Sequence, residues 1–95
     1  MPQIVWLPEA TYDTRRLREF IEDKNPEAAT RAGFAFLKGA DFLSKYPEAG
    51  APMNDGTNRR ELFIKFGNGG YVLRYILDDD KIVIIRTWHS KENRT

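Results

Sequence analysis

The apolar positions change period along the chain, and the changes mark out its elements. Gln3-Ile4-Val5-Trp6-Leu7 is a short β-branched and aromatic run closed by Pro8, which predicts a first strand ending where a helix begins. Pro8-Glu9-Ala10 reads as a helix start, because proline is tolerated in the first turn and a carboxylate is favourable at the positive end of the helix dipole. Asp13, Leu17, Phe20 and Ile21 then fall near one stripe, with Arg15, Arg16, Arg18, Glu19, Glu22 and Asp23 around the rest, so helix one is predicted over about 9–23.

Asn25-Pro26-Glu27 repeats the start signal, with Asn25 as the N-cap. Ala29, Gly33, Phe36, Ala40 and Leu43 recur at steps of four and three, which predicts helix two as far as about Lys45, ahead of Pro47. The link between the helices is so short that they must lie antiparallel, as a helical hairpin. Ala28, Ala29, Ala32, Gly33 and Gly39 would let the two axes approach closely. Phe34 and Phe42 lie off the stripe. Either this helix is covered on two sides, by helix one and by a sheet, or the two rings are exposed for a partner; we expect coverage.

Residues 46–58 are rich in turn formers and follow neither period, the pattern of a functional or mobile loop. Three β-rich runs follow, Arg60 to Phe66, Gly70 to Leu77 and Lys81 to His89, joined by Gly67-Asn68-Gly69-Gly70 and Asp78-Asp79-Asp80 as tight hairpin connections. The order β-α-α-β-β-β predicts an α+β fold, a helical hairpin packed on one face of a small antiparallel sheet. Alternation sets Val72, Arg74 and Ile76 against Tyr71, Leu73, Tyr75 and Leu77, and sets Ile82, Ile84, Arg86 and Trp88 against Val83, Ile85, Thr87 and His89. Both faces are apolar apart from the arginines, so both should be at least partly covered. An arginine so placed needs an anionic partner or a route to solvent.

The chain has 95 residues, so one domain spanning 1–95 is expected. A hydrophobic fraction of 41% argues against disorder. There is no cysteine, which excludes disulfides, thiolate zinc sites, iron–sulfur clusters and cysteine nucleophiles, and suits a reducing, cytoplasmic setting. No apolar run is long enough to span a bilayer, so no membrane association is expected. The net charge of +1 hides an asymmetry: residues 1–58 carry −2 and residues 59–95 carry +3, a mild basic surplus suited to an acidic protein segment or to RNA.

Ordinary catalytic constellations are nearly absent. A zinc site built on the single histidine, His89, would need carboxylates for every other ligand. Ser44 and Ser90 sit in no nucleophile setting. The glycine-rich turn at 67–70 precedes a strand rather than a helix, and three successive aspartates point in different directions, so neither a phosphate loop nor a metal site is expected and no cofactor is implied. What remains is a C-terminal cluster, Arg86, Trp88, His89, Lys91, Glu92 and Arg94, with Arg59, Arg60 and Arg74 on neighbouring strands. The structural alternative is that Trp88 caps the core, Arg86 pairs with an acidic helix residue, and 91–94 is a frayed tail.

The element order, Pro-Glu-Ala after the first strand, Arg59-Arg60-Glu61-Leu62, Gly70-Tyr71-Val72-Leu73-Arg74-Tyr75 and the closing Ile85-Arg86-Thr87-Trp88-His89-Ser90-Lys91-Glu92 resemble the RelE/ParE superfamily of toxins from type II toxin–antitoxin modules. The resemblance spans essentially the whole chain, and its most specific piece is the terminal Arg-x-Trp-His-x-Lys/Arg-Glu pattern of ParE-like, plasmid-stabilisation members. It implies a cognate antitoxin as partner and inhibition of DNA gyrase by direct binding, with ribosome-dependent mRNA cleavage of the RelE type as the alternative. RNA-cleaving members typically read Gly-Tyr-Arg-Leu-Val-Tyr in the middle strand; here Val72 stands at the usual arginine position and Arg74 lies two residues on. Phosphodiester cleavage by 2′-hydroxyl attack needs a base, cationic stabilisation and an acid, and Val72 supplies none of them. The candidates for cleavage are His89, Lys91, Glu92 and Arg74. The candidates for target or antitoxin binding are Arg59, Arg60, Arg74, Arg86, Trp88, His89, Lys91 and Arg94.

Overall fold

The computed structural model describes residues 2–92. The chain runs β1 (Gln3–Trp6), α1 (Pro8–Glu22), α2 (Pro26–Lys45), β2 (Ala51–Pro52), β3 (Arg59–Phe66), β4 (Gly69–Asp78) and β5 (Lys81–His89). Asn25 caps α2 as its sequence position predicts, its Oδ1 accepting the Ala28 N–H at 3.0 Å. The hairpin of helices packs on one face of a five-stranded sheet ordered β1-β5-β4-β3-β2. β3, β4 and β5 form the expected antiparallel meander.

Two sheet features lie beyond what periodicity shows. β1 joins β5 in parallel, with Ile4 opposite Ile82 and Trp6 opposite Ile84, so the sheet is mixed. The two helices carry the chain back across the sheet, and the strand that follows β1 in space is the last in sequence. The 46–58 segment also contributes an edge strand, β2, which pairs Ala51 with Glu61 and Pro52 with Arg60. Pro52 lacks an N–H, which suits the edge of a sheet.

The core forms where the helices meet β4 and β5. Leu17, Ala32, Phe36, Ala40 and Leu43 close over Tyr71, Leu73, Tyr75, Ile82 and Ile84. Phe36 and Tyr71 stack obliquely with ring centroids 4.6 Å apart. Gly39 is small for the sheet rather than for helix one: a methyl group there would sit 2.3 Å from Ile64 Cδ1 and 3.7 Å from Leu73. Gly33 does serve the helix pair, since the Arg18 guanidinium lies 3.2 Å from where its Cβ would be.

Three expectations are corrected. Phe20, placed near the buried stripe of helix one, is 72% exposed, because Ala10, Asp13 and Leu17 carry the contact and the ring falls beside them. Phe34 and Phe42 are exposed too: α2 is covered along one stripe, and no second layer reaches these rings. On β5 the alternation changes phase. Tyr75 pairs with Ile84 but Arg74 pairs with Arg86, so Ile85 is an extra, bulged residue. Ile82, Ile84, Thr87 and His89 therefore pair with the core-side residues Leu77, Tyr75, Leu73 and Tyr71, while Trp88 pairs with Val72 on the opposite face. That opposite face carries no helices, and its residues cover one another.

Candidate functional site

The predicted cluster does not form one site. It is divided among four places by the bulge, the sheet's two faces and the loop ahead of β3, and Arg94 lies outside the described residues.

Arg86 is held on α1. β1 ends opposite Ile84, which leaves the outer edge of β5 open beyond that point, and Asp13 takes the place of the missing strand. Asp13 is 1% exposed and its Oδ2 accepts the Thr87 N–H at 3.1 Å and Arg86 Nε at 2.7 Å, while Oδ1 accepts Arg86 Nη2 at 3.1 Å. Thr14 and Thr87 join hydroxyls at 3.0 Å beside it. The Arg86 guanidinium is pushed above its ordinary pKa chiefly by the Asp13 hydrogen bond. This is the pairing with an acidic helix residue that the sequence offers as the structural alternative. Asp13 marks its role by a carboxylate on an otherwise apolar stripe.

Arg74 and Trp88 share the face without helices. Arg74 Nε and Nη2 both donate to Glu61 Oε2, at 2.9 and 2.7 Å, across the β3–β4 rung that sets these residues opposite one another. The guanidinium carbon lies 4.7 Å above the Trp88 ring and screens it, so the indole is 7% exposed with no helix over it. Arg74 has a carboxylate on one side and an aromatic face on the other, as a largely buried cation requires. Phe63 stands exposed on the same face beyond Val72.

Arg59 and Arg60 order the loop. Arg59 Nη2 pairs with Asp55 at 2.8 Å, and Asp55 also accepts from the Thr57 hydroxyl and N–H. These bonds, Thr57 foremost, hold the Asp55 carboxyl down at about 2. Arg60 Nη1 donates to the Gly50 and Glu48 carbonyls at 2.8 and 3.1 Å. The Tyr75 hydroxyl donates to Pro47 O at 2.8 Å and accepts from Gly50 N–H at 2.9 Å, while burial pushes its pKa up.

His89, Lys91 and Glu92 do come together, at the helix-side end of β5. Lys91 N–H donates to His89 Nδ1 at 3.1 Å, which places the proton of the neutral ring on Nε2. Glu92 folds back: Oε2 accepts His89 N–H at 3.2 Å, and Oε1 pairs with Arg16 Nη1 at 3.0 Å, raising the arginine's pKa. The imidazole meets Tyr71 edge to face and lies against Gly69, where a Cβ would come within 3.1 Å of Cε1. These residues border a cleft of about 520 Å³ floored by Leu17, Ile21, Phe66 and Tyr71. No group of three or more acidic or histidine side chains among the described residues is placed to hold a metal ion.

A second groove, also about 520 Å³, runs between the helices and is lined by Trp6, Arg15, Arg18, Phe34 and Leu37. Arg15 and Arg18, which the sequence sets among the charged residues around the stripe of helix one, were not expected at a site, and neither was Leu37. The signal that could have found the groove is Phe34 and Leu37 one turn apart outside the buried stripe of α2. Among the described residues, no helix is long and apolar enough to cross a membrane.

Residues 4–94 match the family model described as the ParE toxin of the type II toxin–antitoxin system, parDE. Toxin RelE3 of Caulobacter vibrioides is 38% identical over 87 residues, covering 92% of each chain. Toxin RelE1 of the same organism is 34% identical over 85 residues, covering 90% of this chain and 89% of that one. A solved structure titled as the chromosomal ParDE TA system from P. aeruginosa superposes with a TM-score of 0.77 over 94% of this chain and 96% of the other; at 15% identity it shows the shared fold alone. The mixed sheet, the helical hairpin and the match along nearly the whole chain lead to one assignment: this protein belongs to the ParE toxin family of type II toxin–antitoxin systems.

Proposed function

We propose that this toxin acts in the cytoplasm by binding DNA gyrase and blocking its supercoiling reaction, and that a cognate antitoxin neutralises it by occupying its surface. The observation that carries the choice of binding over RNA cleavage is the state of the sheet arginines. Arg74 and Arg86 are each committed to a carboxylate, and the position where RNA-cleaving members carry an arginine is Val72. Stabilising a pentavalent phosphate needs cations aimed at open space, and Glu61 or Asp13 already engages two donors and the charge of each guanidinium. His89 spends Nδ1 on a backbone N–H, and Glu92 is shared between Arg16 and the His89 N–H. A binder needs contacting surface instead. Exposed Phe63 and Phe34 supply apolar contact area, one on the open sheet face and one beside the interhelical groove.

A paired assay tests the reading: supercoiling by purified gyrase, and cleavage of ribosome-bound message, with and without antitoxin. Inhibition of supercoiling that antitoxin relieves is the expected result. Message cleavage without any effect on gyrase would overturn it in favour of the RelE-type activity. His89→Gln separates the two chemically. It should at most weaken gyrase inhibition, whereas a ribonuclease relying on His89 as proton donor or acceptor would lose about 10²-fold or more in rate.

A further inference from the structure

The groove between the helices has two unlike walls, and the difference follows from helical spacing. Thr11, Thr14, Arg15 and Arg18 recur at three- and four-residue steps on α1, and Thr30, Gly33, Phe34 and Leu37 do the same on α2. One wall is therefore hydroxyl and guanidinium, and the other is mainly ring and aliphatic. Phe34 and Leu37 are 58% and 61% exposed, while Trp6 and the buried Phe36 line the same hollow. Large exposed apolar groups beside a concavity mark a surface that takes an occupant.

The charge of the groove says what that occupant carries. Residues 1–58 have a net charge of −2, yet no carboxylate lines the groove. Acids of this half are committed elsewhere, Asp13 to Arg86, Asp41 to Lys45 and Asp55 to Arg59. Arg15 and Arg18 are in no ion pair among the described residues. Arg18 reaches across to α2, its Nε 3.2 Å from where a Gly33 Cβ would stand, so the glycine leaves the space in which the guanidinium lies. On α2, Arg31 precedes Phe34 by one turn and Lys38 follows it by one, and neither is in an ion pair among the described residues. Cations without internal partners around an exposed ring call for an anion.

The ring side of the groove is not purely apolar. The Trp6 Nε1–H has no hydrogen-bond partner among the described residues, and since no buried polar side-chain atom is left unsatisfied, it is open to water. The Thr14 hydroxyl is joined to that of Thr87, which leaves it further acceptor capacity, and Thr11 is exposed at the rim. Donors and acceptors beside ring faces suit a flat ring that is polar at its edge, whereas an aliphatic side chain would leave them unpaired. A phosphate group offers several strong acceptor oxygens, enough for two guanidiniums one turn apart. The hollow of about 520 Å³ matches a single small ligand. We propose that the interhelical groove binds a free nucleotide, its base laid on Phe34 and Leu37 and its phosphate held between Arg15 and Arg18. This goes beyond the toxin reading and does not depend on the gyrase target.

The test is calorimetric titration of the full-length toxin with adenosine 5′-monophosphate, adenosine and inorganic phosphate, with amide chemical shifts locating the ligand. The nucleotide should bind about tenfold or more tighter than either fragment, lose affinity as salt is raised, and shift amides within 11–18 and 30–37. Arg15→Gln and Arg18→Gln should each weaken binding about tenfold, and Phe34→Ser about fivefold or more. Lys65→Gln, which removes the same charge from an exposed position on β3, should stay within about twofold of wild type. All four side chains are exposed, so melting temperatures should stay near that of wild type. No binding at millimolar nucleotide, equal affinity for phosphate and nucleotide, or wild-type affinity in the arginine and Phe34 variants would each overturn the proposal. So would binding more than about tenfold tighter by a single-stranded oligonucleotide or by an acidic, phenylalanine-containing peptide, which would give the groove to a nucleic acid or to a protein.

Discussion

Replacing Asp13 by alanine removes the group that closes the open edge of β5. Two costs add. The Thr87 N–H, in a residue with no exposed surface, loses its carboxylate acceptor, which is worth about 1–3 kcal/mol. The Arg86 guanidinium loses both of its bonds, but its side chain is 42% exposed, so water replaces much of the interaction and about 1 kcal/mol is lost there. Asp13→Ala should therefore destabilise by about 3 kcal/mol, which for a domain of this size lowers Tm by about 12–20 °C. Asp13→Asn keeps one carbonyl oxygen for the Thr87 N–H and should cost about half as much. Arg86→Ala leaves the carboxylate buried without its counter-charge and should cost about 2 kcal/mol. The double variant should fall short of the sum by about 1 kcal/mol or more, since both changes break one network. Urea unfolding of the four proteins yields the cycle, and amide exchange at Thr87 reports the edge directly. A loss below about 1 kcal/mol for Asp13→Ala, with Thr87 still protected, would refute the reasoning.

The remaining expectations concern the hairpins, the loop and acid. Gly70→Ala should be much more damaging than Gly39→Ala, by about 2 kcal/mol, because the new methyl meets the Ile64 backbone carbonyl at 2.3 Å in one case and the mobile end of the Ile64 side chain in the other; thermal melts compare them. Tyr75→Phe should cost about 1–2 kcal/mol and expose 47–50 to limited proteolysis, as Pro47 O and Gly50 N–H lose their partner. Because burial raises the Tyr75 and Tyr71 phenols above 10, their ionisation is resisted while folded, and stability should fall as pH rises beyond about 10, with delayed phenolate absorbance as the readout. Asp55 behaves oppositely. Its pKa falls from 3.8 unfolded to about 2 folded, so its contribution is present above 3.8 and disappears as pH drops towards 2; amide protection at Thr57 should fade over that window, and Asp55→Asn should abolish the change.

What the sequence determines by itself is local. Helix starts at Pro8 and Pro26, the Asn25 cap, the β4–β5 meander and the buried stripes through Leu17 and Phe36 follow from spacing and capping chemistry, which act within a few residues of the chain. The family was legible too, because its terminal pattern lies in consecutive residues. The tertiary structure alone decided whether the candidate residues share a site. One bulged residue, Ile85, turns Thr87 and His89 towards the helices and leaves Trp88 on the open face, and alternation has no means of counting an insertion opposite a strand it has not been paired with. The exposure of Phe20 and Phe34 depended likewise on which layers exist. Whether Arg74 and Arg86 were free or paired turned on Glu61 and Asp13, one opposite across the sheet and the other 73 positions away, and such contacts are made only when the chain closes on itself.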